Sequence, residues 1–110
     1  MKLLTAAIEK AFEKNPLGSH DGEWTDAKVI VKFFNPYGVG TWLITEAEKQ
    51  EDGDWLMFGW VDLGYGFEAG YISFNELNNI RVNVFGCRLP LERDRYEGIG
   101  KRSVKEYIEE

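Results

Sequence analysis

The stretch Asp54-Trp55-Leu56-Met57-Phe58-Gly59-Trp60-Val61-Asp62 decides the fold. With the two-residue alternation of a strand, Trp55, Met57 and Val61 fall on one face and Leu56, Phe58 and Trp60 on the other. A strand apolar on both faces is covered on both sides and belongs in the middle of its sheet. Just before it, Lys49-Gln50-Glu51-Asp52-Gly53 reads as a hairpin loop, with Asp52-Gly53 supplying the positive φ angles of a tight turn. Across that hairpin, residues 41–48 form a strand with Trp42, Ile44 and Glu46 opposite Leu43 and Thr45. Further back, Asn35-Pro36-Tyr37-Gly38-Val39-Gly40 is turn-forming. Residues 27–35 are a strand with Val29, Val31 and Phe33 on one face and Lys28, Ile30, Lys32 and Phe34 on the other. Beyond the central strand, a glycine-rich connector leads to a short fourth strand at residues 69–73. Links of hairpin length between successive strands imply an antiparallel sheet.

Helices flank these strands. Thr5 is placed to cap a first helix whose Leu4, Ile8, Ala11 and Phe12 share one face, and Asn15-Pro16 ends it. The loop Leu17-Gly18-Ser19-His20-Asp21-Gly22-Glu23 is polar and rich in turn formers. Ser73-Phe74-Asn75-Glu76 has the form of a capping box and opens a helix of one or two turns through Ile80. Residues 81–88 read as a last, edge-like strand closed by Pro90, and residues 91–100 as irregular. A second capping box, Ser103-Val104-Lys105-Glu106, opens a C-terminal helix. The expected fold is a single α+β domain over residues 1–110. It has an antiparallel sheet of four to five strands, with an N-terminal helix, a short middle helix and a C-terminal helix packed on it.

The composition narrows the function. The chain has 110 residues, 44% hydrophobic, 15% aromatic and 29% charged, which suits one folded domain and excludes a disordered one. No run approaches the ~18 apolar residues of a membrane span, and the start carries no signal-peptide pattern, so a cytoplasmic protein is expected. A single cysteine, Cys87, excludes an internal disulfide and a cysteine-based zinc site. Thirteen bases against nineteen acids give a net charge of −6, unevenly spread. Residues 43–76 hold Lys49 against eight acids, while the segments on either side are nearly neutral. Such a chain repels nucleic-acid phosphates and attracts a basic partner surface, although an acidic excess also serves plain solubility.

Catalytic patterns are weak. Ser19-His20-Asp21 contains the residue types of a hydrolytic triad, but consecutive residues do not converge on one reacting atom. Cys87 beside Arg88 has no second partner. Gly64-Tyr65-Gly66-Phe67-Glu68-Ala69-Gly70 misses the dinucleotide spacing and is followed by a strand, and Gly100-Lys101-Arg102-Ser103 lacks the rest of a phosphate loop. Glu51, Asp52 and Asp54 lack the spacing of a calcium loop. No enzyme, cofactor or metal site is expected.

What remains is an acidic and aromatic surface. Four Trp, five Tyr and seven Phe exceed the needs of so small a core. Trp24, Tyr37, Tyr65 and Phe67 fall in loops or connectors, where they either anchor a partner or wrap under the loops as additional core. The expected contact face joins Glu46, Glu48, Glu51, Asp52, Asp54, Asp62 and Glu68 to the anchors Tyr37, Trp55, Tyr65 and Phe67. A nucleotide stacked on the loop aromatics is the alternative, with Arg81, Arg88, Arg93 and Arg95 folding over its phosphates.

Several segments also resemble a known family. They are Leu3-Leu4-Thr5, Ala7-Ile8-Glu9-Lys10, Pro16-Leu17-Gly18, Asp21-Gly22, the run from Ala27 to Pro36, and Gly40-Thr41-Trp42. Phe58-Gly59, Gly70-Tyr71-Ile72-Ser73 and Glu76-Leu77 follow. This pattern is similar to a small bacterial family known as domain of unknown function 2958. The resemblance implies a protein carried on plasmids, integrative elements and phages, and brings no catalytic residues with it. In that setting the expected role is an anti-defence inhibitor, of anti-CRISPR or anti-restriction type, occupying the basic nucleic-acid groove of a host nuclease complex. A nucleotide sponge and an accessory subunit of the element's own maintenance machinery are the alternatives.

Overall fold

The computed structural model describes residues 2–110, and the strand apolar on both faces lies inside the sheet, one place in from its edge. In chain order come helix α1 (Ala6–Lys14), a single 3-10 turn (Trp24–Asp26), and strands β1 (Val31–Phe34), β2 (Thr41–Lys49), β3 (Trp55–Asp62) and β4 (Phe67–Ser73). Helix α2 (Phe74–Asn78) follows, then strands β5 (Arg81–Val84), β6 (Cys87–Pro90) and β7 (Glu92–Arg93), and helix α3 (Val104–Ile108). Five strands form one antiparallel sheet in the order β4-β3-β2-β1-β7, and β5 and β6 form a separate hairpin. The α+β domain expected from the sequence is therefore present.

Each face of the sheet has its own core. On the first, Ile8 and Phe12 of α1 and Phe74 and Leu77 of α2 pack on Val31, Phe33, Trp42, Ile44, Trp55 and Met57. The Thr5 hydroxyl accepts from the Ile8 N–H at 3.2 Å and fixes the start of α1. On the second face, Val29, Leu43 and Trp60 meet Val104 of α3, with Phe67 and Tyr107 packed around them. The cap of α3 is complete: Ser103 accepts from the Glu106 N–H, and the Glu106 carboxylate accepts from the Ser103 N–H.

Three details differ from the sequence reading. First, the β2–β3 register slips between Ile44 and Glu46, so that Ile44 faces Gly59 while Glu46 faces Phe58. The extra residue, Thr45, is a β-bulge, and a one-residue slip moves every later side chain to the other face. Ala47 therefore joins Trp42 and Ile44, and Glu46 turns to the second face. Second, residues 81–88 are not one strand. The chain reverses at Phe85-Gly86, where φ is 50° and 83°, making the β5–β6 hairpin. Third, the fifth strand of the sheet is β7, in the segment expected to be irregular, where Arg93 and Glu92 pair with Phe33 and Phe34 of β1.

Phe85 is an unusual turn residue, since a left-handed φ is costly for anything bulkier than Gly, Asn or Asp. Its ring is fully exposed and returns nothing to the core. Phe85→Asn is expected to stabilise the hairpin by about 0.5–1 kcal/mol. Slower amide exchange across β5 and β6 would register the gain.

Candidate binding site

The structure separates the acids that the sequence placed on one face. Glu48, Glu51 and Asp52 lie at the β2–β3 hairpin end, and Asp62 and Glu68 near the opposite end of β3. Eight residues of strand put those ends roughly 25 Å apart. Glu46 is only 4% exposed, and its two carboxylate oxygens accept from the N–H groups of Gly18 and His20, both at 2.8 Å. It is a tether for the loop after α1 and has no surface to offer a partner. Asp62 shapes the β3–β4 turn by accepting from the N–H groups of Gly64 and Gly66.

Asp54 joins the hairpin to α2. It accepts from the Ser73 hydroxyl at 2.5 Å and from the N–H groups of Asn75 and Trp55. Burial opposes its ionisation, but these three donors outweigh burial and hold the carboxyl below its ordinary 3.8. Its contribution to stability is therefore complete above the unfolded-state pKa and is lost as the pH falls through the lower folded value. Asp54→Asn should be destabilised at neutral pH, with its unfolding curve converging on that of the parent in acid. Denaturant midpoints measured across the acid range check this.

The aromatic anchors separate too. Trp55 is core, edge-on to Phe12 with ring centroids 5.2 Å apart, and its indole N–H donates to Glu9. Phe67 is half-buried against the second core. Tyr37 and Tyr65 are exposed, Tyr65 to 95%, together with Val39 and Leu63. The β1–β2 and β3–β4 turns touch at this end of the sheet, where Val39 Cγ1 lies 3.4 Å from the Cβ position of Gly64. Residues 50–80, which build β3, β4 and α2, contain no Lys or Arg.

The four arginines are divided between two places. Arg81 donates to the carbonyls of Asn78 and Ile80, and Arg93 to that of Lys2. Arg88 sits on the β5–β6 hairpin, and Arg95 follows β7 at the sheet edge opposite β4.

A groove that sequence reasoning missed crosses the second face of the sheet. Two adjoining cavities of about 150 and 220 Å³ share Asp21, Glu46 and Phe58. Thr45, Phe58 and Trp60 form the floor and Tyr71 of β4 one side, its ring edge-on to Phe58 at 5.2 Å. The loop of residues 17–24 forms the opposite wall. Successive turns close it, with Ser19, Asp21 and Glu23 N–H groups donating to the carbonyls of Pro16, Gly18 and His20. Trp24 ends the wall edge-on to Trp60 at 4.7 Å, with a left-handed φ of 51°.

His20 straps the loop to the end of α1. Its Nδ1 lies 2.6 Å from the Glu23 carboxylate and its Nε2 lies 2.7 Å from the Asn15 side-chain oxygen. Asp21 differs from its neighbours: its carboxylate has no hydrogen-bond or ion-pair partner among the described residues. The only sequence signal for this wall was the run of turn formers. The floor depends on the bulge, which alternation does not reveal.

Fold and groove together define a small α+β domain on an open antiparallel sheet, with a loop-walled aromatic cleft on one face. The chain belongs to the family described as "Protein of unknown function (DUF2958)", whose model matches residues 3–110. The resemblance carried by the quoted segments thus extends through the C-terminal part of the chain. No curated protein and no solved structure matches it. Among the described residues no helix is long and apolar enough to cross a membrane.

Proposed function

We propose that this chain is a non-catalytic binding protein that covers a basic, nucleic-acid-binding surface of another protein. The observation that carries this reading is the flank built by residues 50–80. It holds six acids and no base, and presents Leu63, Tyr65 and Tyr71 to solvent. Exposed apolar rings on a segment that carries carboxylates and no cation complement a surface rich in Arg and Lys. The biological role proposed with it is inhibition of a host defence nuclease or CRISPR-type complex by a protein of a mobile element. The nucleotide alternative is the weaker reading, because the four arginines are divided between the β5–β6 hairpin and the β7 segment.

The test is capture from a bacterial lysate rich in defence systems, with low-salt and then high-salt washes. A stoichiometric nucleic-acid-handling protein, released by salt, is expected. Reversing Glu51, Glu68 and Glu76 to lysine leaves the hydrogen-bonded Asp52, Asp54 and Asp62 in place and should lower capture at least about tenfold. Unchanged capture by that triple variant would overturn the reading. Capture of the element's own replication or transfer proteins would replace the inhibitor role with the accessory one.

A further inference from the structure

We infer that the groove between the 17–24 loop and the second sheet face is a receptor for a guanidinium group. An arginine side chain of the basic partner enters it between Trp24, Phe58, Trp60 and Tyr71 and meets the carboxylate of Asp21. This rests on the partner proposed above and names the contact that would recognise it.

Charge and shape argue for this occupant together. The lining contains four aromatic rings, two carboxylates and one histidine, and no Lys or Arg. An anion is repelled by such a lining. A purely apolar group would leave unused the carboxylate of Asp21, which is exposed at the rim and has no partner among the described residues. A guanidinium satisfies both features at once. Its flat faces stack on aromatic rings, and its N–H fork pairs with a carboxylate. Glu46 lies beneath the groove with its carboxylate already engaged by two N–H donors, and adds negative charge to the floor.

The groove is also preformed. Glu46 and the His20 strap fix the wall before any ligand arrives, which removes an ordering cost from binding. Trp24 is held half out of the protein, 66% exposed, in a backbone conformation that bulky residues avoid. Backbone outliers of this kind collect at ligand clamps.

The four tryptophans provide the test. Trp24 and Trp60 line the groove, whereas Trp42 and Trp55 lie in the core on the opposite face. Titration of the ¹⁵N-labelled protein with N-acetyl-arginine methylamide should shift the indole N–H signals of Trp24 and Trp60 saturably and leave the other two in place. Asp21→Asn, which breaks no bond within the protein, should weaken this about fivefold or more, while Asp26→Asn should not. The norleucine analogue should produce no saturable shift.

The inference is overturned if Trp24 and Trp60 do not respond, if all four indoles move alike, or if Asp21→Asn binds as the parent does. A free guanidinium compound bound far more tightly than the blocked residue would overturn a protein side chain as the source. If a basic protein is captured but Asp21→Asn leaves the capture unchanged, this inference fails and the partner reading stands. If the arginine amide binds in the groove and no basic protein is captured, the partner reading fails and the groove's chemistry stands.

Discussion

Gly59→Ala is expected to cost about 4 kcal/mol or more, enough to leave a domain of ordinary stability largely unfolded. Gly59 stands opposite the bulge, where β2 crowds against β3. A Cβ there would lie 2.1 Å from the Leu43 carbonyl oxygen, 2.9 Å from its carbon and 3.0 Å from the Ile44 Cα. All three are backbone atoms in the middle of the sheet, so no rotamer change relieves the overlap. The strands would have to separate between the two cores that cover the faces of the sheet. The control is Gly70→Ala, on β4 directly across from Gly59. Its added methyl meets nothing within 4 Å, and stability should stay within about 0.5 kcal/mol of the parent. Urea denaturation of both variants decides the matter, and equal midpoints would refute the crowding argument.

Glu46→Ala is expected to lose about 2–4 kcal/mol. The substitution removes the acceptor for two N–H groups and leaves a gap beneath Phe58 and Trp60. The loss should appear first in the loop, because the sheet itself keeps all its pairings. Proteolytic nicking within residues 17–24 and a changed Trp24–Trp60 environment should precede global unfolding. Glu46→Gln keeps one acceptor oxygen and should fall between the variant and the parent. Loop protection unchanged in Glu46→Ala would show that the turns hold the loop without the tether.

The legible parts of this fold are those whose cause is local. The two-faced pattern of β3, the Thr5 cap of α1 and the Ser103–Glu106 box are each set by chemistry a few residues long, and each is where the sequence places it. The bulge is different. Its signature was a lone glycine inside a strand, which marks a close backbone approach, but the residue approached lies on the neighbouring strand. The Phe85-Gly86 turn carries no Asn or Asp to announce a hairpin, and β7 is too short to show alternation. The acids clustered in sequence were drawn apart because consecutive antiparallel strands send the chain's length back and forth across the sheet. Trp55 had already been placed on a core face by alternation, and that assignment outweighed its acidic neighbours. The groove draws on residues 17–24, 45–46, 58–60 and 71, four segments that share no period.

Glu46 grips the loop by its main chain, through the N–H groups of Gly18 and His20, and ignores the side chains that the loop carries outward. Ser19 and Asp21, on either side of His20, can therefore be exchanged without loosening the anchor. The groove wall can thus change its chemistry while the sheet beneath stays the same. A library randomised at these positions, with Glu46, His20 and the glycines kept, would vary the wall's surface on a scaffold that still folds.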